Sequence, residues 1–121
     1  MAYSGNKGLE RVRKASIYSW QGLIAAWRNE EAFRQEVWAC LVLLPLGLYL
    51  GDGGLEKAVL VLTVLLVPLV EILNSAVEAV VDRFGEDHHE LSGRAKDMGS
   101  AAVAIAIGIM AVVWFLILFV D

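Results

Sequence analysis

Long stretches without charge dominate the chain beyond residue 36. Segment 101–120 contains 20 consecutive uncharged residues, the length that an α-helix needs to cross about 30 Å of hydrocarbon. Segment 58–81 is also long enough, and its first half is almost purely apolar. Segment 37–50 is short by itself but reaches spanning length when the preceding residues are included. The pattern predicts three transmembrane helices, at about 32–50, 58–81 and 101–120.

The N-terminal segment, at about 7–28, places apolar and polar residues with the period of a helix. Its apolar side chains recur at helical spacing: Leu9, Val12, Trp20, Leu23, Ile24 and Trp27. The polar ones fall mostly on the opposite side: Glu10, Arg11, Lys14, Tyr18 and Gln21. This pattern is typical of an amphipathic helix that lies in the membrane interface. Such a helix either only anchors the chain or also contributes residues to a site.

The distribution of lysine and arginine predicts how the spans are oriented. Segment 1–36 contains six of these residues and segment 82–100 contains three, whereas the link 51–57 contains only Lys57. The positive-inside rule therefore places the N-terminus and segment 82–100 in the cytoplasm. The link is short and rich in glycine, so the first two spans are expected to be antiparallel neighbours. We expect one domain over 1–121, in which 82–100 forms a cytoplasmic loop and helix extensions.

Composition excludes several classes of protein. The 121 residues are 58% hydrophobic and 20% charged, whereas an ordinary soluble domain is about 45–50% apolar and about 25% charged. A soluble monomer of this size could not bury so much apolar surface, and the same composition excludes a disordered chain. The net charge of −4 gives no general footprint for nucleic acid. The single cysteine, Cys40, lies in an apolar run and is expected to serve only in packing.

Four polar residues at i, i+3, i+7 and i+11 lie in the second predicted span and at its cytoplasmic end: Glu71, Asn74, Glu78 and Asp82. On a helix they fall within about 80° of one another and form one polar stripe. An ionisable group at the bilayer centre costs at least about 2.5–3.5 kcal/mol, so the stripe must face protein or a water-filled cleft. Hydrogen bonds that fix helix packing are one explanation. Three acids without a basic residue in the same span instead favour a divalent metal or proton chemistry.

Two further polar clusters flank the predicted spans. One precedes the first span: Asn29, Glu30, Arg34, Gln35 and Glu36. The other is segment 82–100, where the adjacent His88 and His89 are a weak signal for a metal, because neighbouring residues point in different directions on a helix. The signature motifs of P-loop enzymes, protein kinases and serine hydrolases are absent from the sequence.

Three spans are too few to enclose the polar stripe, so several copies of the chain are expected to assemble around it. Small residues spaced by four supply a packing face on the third span: Ser100, Ala104 and Gly108. The pattern fits a membrane enzyme, a small oligomeric channel or proton-conducting subunit, or a structural subunit. A channel needs a stripe across the whole bilayer, whereas this one ends near Glu71 and joins a charged segment. The enzyme is therefore favoured.

Three segments resemble the prokaryotic integral-membrane diacylglycerol kinases. They are 29–36 (NEEAFRQE), 71–82 (EILNSAVEAVVD) and 90–100 (ELSGRAKDMGS). The resemblance covers nearly the whole chain, with the same length and order of spans, and segment 71–82 is its most specific part. Related Gram-positive enzymes phosphorylate undecaprenol. Segment 90–103 and the length of the chain are more similar to the Gram-negative diacylglycerol branch.

The resemblance implies a homotrimer in the bacterial inner membrane, with a surface helix and three spans in each copy. Its active sites would be shared between copies. It implies transfer of the ATP γ-phosphoryl group to the primary hydroxyl of diacylglycerol, which gives phosphatidic acid. The implied partners are MgATP, diacylglycerol, membrane lipid and further copies of the chain, without nucleic acid. The alternative within the family is an undecaprenol kinase.

The resemblance also implies roles for individual residues. Glu71 matches the catalytic base, and Glu30 and Glu78 match the acids that bind Mg²⁺. The residues that match the nucleotide site are Arg11, Tyr18, Glu30, Glu78, Asp87, His88, His89, Lys96 and Asp97. Those that match the lipid site are Arg34, Gln35, Glu36, Glu71, Asn74, Ser100 and Trp114. Phosphoryl transfer requires positioning and charge neutralisation more than an elaborate fold, which agrees with a short acidic stripe.

Overall fold

The computed structural model describes residues 7–85 and 89–121, which form four helices. They are α1 (Gly8–Asn29), α2 (Glu31–Leu50), α3 (Gly53–Arg83) and α4 (Glu90–Phe119). Helices α2, α3 and α4 are each long and apolar enough to cross a membrane. The described residues are thus all-helical with three potential spans, which confirms this part of the predicted fold class.

A sharp corner at Glu30 joins α1 to α2. The backbone of Glu30 is extended, with φ of −121° and ψ of 107°, so the two helices do not continue into one. From α2, the Arg34 guanidinium donates to the carbonyls of Trp27 at 2.6 Å and Arg28 at 3.3 Å. A cation in this place satisfies carbonyls at the end of α1 that have no intrahelical partner. The Trp27 and Trp38 rings also meet edge to face, with centroids 6.1 Å apart. These contacts fix the position of Glu30.

The connection between α2 and α3 is a tight turn that depends on glycine. A Cβ atom at Gly51 would lie 2.8 Å from Lys57 Cγ and 2.9 Å from the Lys57 nitrogen, so a larger residue does not fit. Gly53 begins α3 with a φ of +78°, a conformation that favours glycine. The Asp52 amide donates to the Glu56 carboxylate at 2.9 Å. The chain therefore reverses at once, and α2 and α3 pack side by side.

A part-buried tryptophan joins the three long helices. The Trp114 indole N–H on α4 donates to Thr63 Oγ1 at 3.2 Å and to the Leu60 carbonyl at 3.3 Å, both on α3. Gly47 of α2 lies against the same group, since a Cβ there would be 3.3 Å from Leu60 Cβ and 3.4 Å from the indole ring. Leu60 and Val64 are fully buried. This core fixes how α2, α3 and α4 lie relative to one another.

Helices α3 and α4 extend beyond the apolar stretches, into the segment predicted as a loop with helix extensions. Helix α3 continues to Arg83, and α4 begins at Glu90. The His89 side chain caps α4, because its Nδ1 accepts a hydrogen bond from the Leu91 amide at 3.0 Å. Three of the predicted site residues are therefore held on a regular helix: Lys96, Asp97 and Ser100.

Most large apolar side chains of the potential spans point away from the core. Within the single chain, only 6% of the most apolar 18-residue stretch of α4 is buried, and 28% of the corresponding stretch of α3 is buried. The exposed side chains include Leu62, Leu69, Ile105 and Phe115. Lipid or further copies of the chain must cover these surfaces, because apolar surface of this extent is unfavourable in water.

Candidate active site

Three carboxylates from different parts of the chain meet at one point. Glu30 comes from the corner between α1 and α2, whereas Glu71 and Glu78 lie two turns apart on one face of α3. Oxygen atoms of all three carboxylates lie within 4.8 Å of one another. Glu71 is only 5% exposed, and the other two are half-buried. Three carboxylates this close could hold a cation, and an all-oxygen set of ligands suits Mg²⁺. We call these residues the carboxylate cluster.

Two neighbours hold Glu71, the deepest member of the carboxylate cluster. Ser75 Oγ, one turn further along α3, donates to Glu71 Oε2 at 3.4 Å. The Glu36 carboxyl of α2 adjoins the Glu71 carboxyl. The Glu36 Oε1 atom is buried and has no hydrogen-bond partner among the described residues. A fourth acid therefore adjoins the cluster, and the site extends from α3 to α2.

Asn74 lies beside Glu78 on the same face of α3. Its Nδ2 donates to Glu78 Oε1 at 3.4 Å. Its Oδ1 is buried and accepts no hydrogen bond within the described ranges. Helix α4 passes close to this oxygen at Gly99, where a Cβ atom would collide with it. The contacts thus follow the predicted polar stripe and add a point where α4 touches it.

An ion pair between α3 and α4 marks the outer end of the stripe. Lys96 Nζ lies 2.7 Å from Asp82 Oδ1, and the two side chains are 42% and 64% exposed. An exposed pair of this kind contributes little to stability. Because the Lys96 side chain is exposed and its pairing is weak, its ammonium group is accessible to an incoming anion. The periodicity of the stripe had placed Asp82 on this face without giving it a partner.

Of the other residues predicted to bind the nucleotide, those that the structure describes are not part of the carboxylate cluster. Arg11 and Tyr18 are exposed on α1, and neither forms a hydrogen bond or ion pair with another residue of 7–85 or 89–121. On the same helix, the Arg13 guanidinium holds the pKa of the Glu10 carboxyl below its usual value. Asp97 is exposed on α4. Two of the predicted residues lie outside the described residues: Asp87 and His88.

The residues predicted to bind the lipid divide into two regions. Those at the polar ends of the spans are Arg34, Gln35, Glu36, Asn74 and Ser100. Trp114 belongs to the apolar core instead, where its indole contacts Thr63. Thr63 precedes Glu71 by about 12 Å along α3. Trp114 therefore contacts α3 about two helical turns from Glu71.

Sequence reasoning gave no role to two residues that contact this site. Ser75 follows Glu71 by one helical turn, so its spacing was a signal that could have indicated the contact. Gly99 gave no such signal in the sequence. It leaves space for the side chain of Asn74, which belongs to a different helix. Only the packing of α3 against α4 brings the two together.

Fold and site define a class of protein, a small membrane protein whose potential spans carry a cluster of carboxylates at their polar end. The family model for prokaryotic diacylglycerol kinases matches residues 17–118. The chain is 54% identical over 111 residues to the diacylglycerol kinase of Escherichia coli strain K12, covering 92% of this chain and 91% of that protein. It is 51% identical over 112 residues to the diacylglycerol kinase of Haemophilus influenzae, covering 93% and 95%. For that of Pseudomonas aeruginosa the identity is 45% over 116 residues, covering 96% and 94%.

The chain belongs to the prokaryotic diacylglycerol kinase family. This membership confirms the resemblance found in the sequence. It also means that the protein is an enzyme, a kinase of lipid metabolism.

Proposed function

We propose that the protein transfers the γ-phosphoryl group of ATP to the primary hydroxyl of diacylglycerol. The hydroxyl oxygen bonds to the γ-phosphorus, the bond from that phosphorus to the β–γ bridging oxygen breaks, and ADP leaves. The hydroxyl proton passes to a carboxylate of the enzyme, and the lipid product is phosphatidic acid. The observation that carries this proposal is the meeting of Glu30, Glu71 and Glu78 within 4.8 Å beside the potential spans.

Glu71 is the proposed general base. It is the most buried of the three acids, so water competes least for its carboxylate oxygens. Ser75 donates to Oε2, which leaves Oε1 to accept a proton from a substrate hydroxyl. We place the lipid on the side of α2, where Glu36 adjoins Glu71 and lines a small apolar pocket together with Cys40 and Pro68. A lipid hydroxyl can thus reach a carboxylate without leaving the membrane.

Glu30 and Glu78 are the proposed ligands of Mg²⁺. In proteins Mg²⁺ commonly takes one or two carboxylates and completes its shell with water and phosphate oxygens. The donor set fits this preference, since it contains only oxygen atoms and gathers them within 4.8 Å. A bound Mg²⁺ supplies charge neutralisation at the phosphates. The chain itself contributes a corner that holds Glu30 and a hydrogen bond from Asn74 that holds Glu78.

Lys96 is the proposed partner of the phosphoryl group that is transferred. Its ammonium pairs with the single charge of Asp82, whereas a triphosphate offers more charge and stronger acceptors. Arg11 and Tyr18 are two turns apart on one exposed face of α1, so that helix can present both to the nucleoside. The remaining residues proposed for the nucleotide are Asp87, His88, His89 and Asp97.

Asn74 and Ser100 are proposed to lie near the reacting hydroxyl of the lipid. The first residues of α2 extend this surface towards the membrane: Arg34, Gln35 and Glu36. Trp114 is assigned to a more distant part of the lipid, because its indole lies in the apolar core.

We further propose that three copies assemble and share their sites in the bacterial inner membrane, with the N-terminus and Lys96 on the cytoplasmic side. The largely exposed apolar surface of α4 supports an assembly. Lysine and arginine are concentrated in segments 1–36 and 82–100, which supports this orientation.

Purified protein with MgATP and either diacylglycerol or undecaprenol tests the proposal. Transfer of labelled γ-phosphate to each alcohol is the measurement, with and without a chelator of divalent cations. We expect phosphatidic acid with Mg²⁺ present and none after chelation. Phosphorylation of undecaprenol alone would replace the proposed substrate, and turnover in a fully chelated sample would refute the metal role.

A further inference from the structure

Gly99 differs from the other glycines of α4 in what surrounds it. A Cβ atom at Gly99 would collide with Asn74 Oδ1 and would lie 3.1 Å from Asn74 Cγ. Nothing lies within 4 Å of a Cβ placed at Gly93 or Gly108. The Asn74 amide therefore occupies the space that any side chain at position 99 would fill. The Asn74 amide can occupy this position between α3 and α4 only because residue 99 has no side chain.

The hydrogen bond to Glu78 determines which way the Asn74 amide faces. An ionised carboxylate only accepts hydrogen bonds, so the nitrogen of the amide must be the atom that meets Glu78 Oε1. The observed donation from Nδ2 at 3.4 Å fits this requirement. The oxygen of the amide then points the other way, towards α4 and Gly99. One side-chain orientation therefore serves both contacts.

We propose that Gly99 is a positioning residue for the carboxylate cluster. By leaving room for the Asn74 amide, it allows Asn74 to donate to Glu78 and so orients the Glu78 carboxylate towards Glu30 and Glu71. Residues that orient a metal ligand typically change metal affinity or activity by about 10–100-fold when they are replaced. The proposal rests on the proposed function, in which Glu78 binds Mg²⁺.

A methyl group at position 99 should change the site and leave the fold intact. The atom in its way is the end of the Asn74 side chain and not backbone. Asn74 can therefore rotate, while α3 and α4 stay packed through their other contacts. Rotation removes the donor from Glu78. Alanine also favours a helix more than glycine does, so stability is expected to be unchanged or higher.

The test compares Gly99→Ala with Gly93→Ala, which makes the same replacement on the same helix with nothing nearby. Three quantities are measured in the assembled protein. These are turnover against Mg²⁺ concentration, Mn²⁺ binding by electron paramagnetic resonance with a non-hydrolysable ATP analogue, and the thermal unfolding midpoint. For Gly99→Ala we expect cation binding and Mg²⁺ activation to weaken by about 10–100-fold at a midpoint that is unchanged or higher. Gly93→Ala should match the wild type in its cation response, and a wild-type cation response of Gly99→Ala would overturn the proposal.

A double-mutant cycle shows whether Gly99 acts through Asn74. Asn74→Ala removes the donor and also makes room at position 99, so adding Gly99→Ala should change nothing further. Defects that multiply in the double variant would overturn the proposal. Glu78→Gln tests the underlying metal role separately. If it leaves Mn²⁺ binding intact, the metal assignment fails, and non-additive turnover in the cycle still decides whether Gly99 positions Asn74.

Discussion

Replacing Glu71 by glutamine tests the proposed base with a very small change in shape. The side chain is 5% exposed, and Ser75 Oγ donates to its Oε2 at 3.4 Å. Glutamine keeps one oxygen that can accept this hydrogen bond, so the packing around residue 71 is preserved. An amide cannot take the proton of a hydroxyl. We therefore expect kcat to fall by about 10²–10⁴-fold. KM for MgATP or lipid should change little, because glutamine keeps an oxygen that can still contact the lipid hydroxyl and Glu71 is not proposed to bind the nucleotide.

Initial rates of phosphatidic acid formation measure this effect, and Glu56→Gln is the matched control. Glu56 lies near the start of the same helix and accepts the Asp52 amide, a contact that glutamine can also make. The control should turn over like the wild type. Thermal unfolding and the size of the assembly verify that both variants are folded. If Glu71→Gln retained kcat within about 10-fold of the wild type, Glu71 would not be the base.

Three further expectations follow from the contacts of the described residues. Glu30→Gln should raise the Mg²⁺ concentration needed for the half-maximal rate by about 10-fold or more. The neighbouring Glu31 is exposed, so Glu31→Gln should not change this concentration. Equal effects of the two replacements in a Mg²⁺ titration would contradict the metal role. Cys40→Ala should keep full turnover and lower stability by about 1 kcal/mol at most, and an inactive but assembled variant would show a chemical role. Trp114→Phe removes the donor to Thr63 and should lower the free energy of unfolding by about 0.5–1.5 kcal/mol, measured by thermal unfolding. The value of kcat should not change, and a large fall in kcat would place Trp114 in the site.

The potential spans and the polar stripe could be predicted from the sequence because each depends only on local spacing. The uncharged run 101–120 is long enough to cross a membrane, and its length alone indicates a span. Glu71 and Glu78 are seven residues apart, so they lie on one face of any helix that contains both. Glu30 is different. It joins the carboxylate cluster through the corner that Arg34 holds, and no periodicity describes that corner. The sequence indicated its role only by resemblance to a known family.

Contacts between helices account for what sequence reasoning did not reach. Gly99 matters through an atom of Asn74 on another helix, and Trp114 joins the apolar core through Thr63. Both contacts depend on the position of α4 along the axis of α3, which hydrophobic patterning does not determine. The contacts determine this position in the folded protein, because Gly99 must lie beside Asn74 and Trp114 beside Thr63.

The distance between Lys96 and Glu71 predicts that an active site needs two chains. Lys96 is paired with Asp82, whose backbone lies about 16 Å from that of Glu71 along α3, whereas a phosphoryl group in transfer must be close to both the base and the cation. If Lys96 of a neighbouring copy completes the site, mixing inactive Glu71→Gln with inactive Lys96→Ala chains should restore turnover. Random mixing in a cyclic assembly joins two intact residues at about one quarter of the interfaces, so rescue should reach about a quarter of the wild-type rate at equal input. Rates that stay at zero in assemblies shown by crosslinking to be mixed would mean that both residues act from one chain, with Lys96 leaving Asp82 to reach the phosphoryl group.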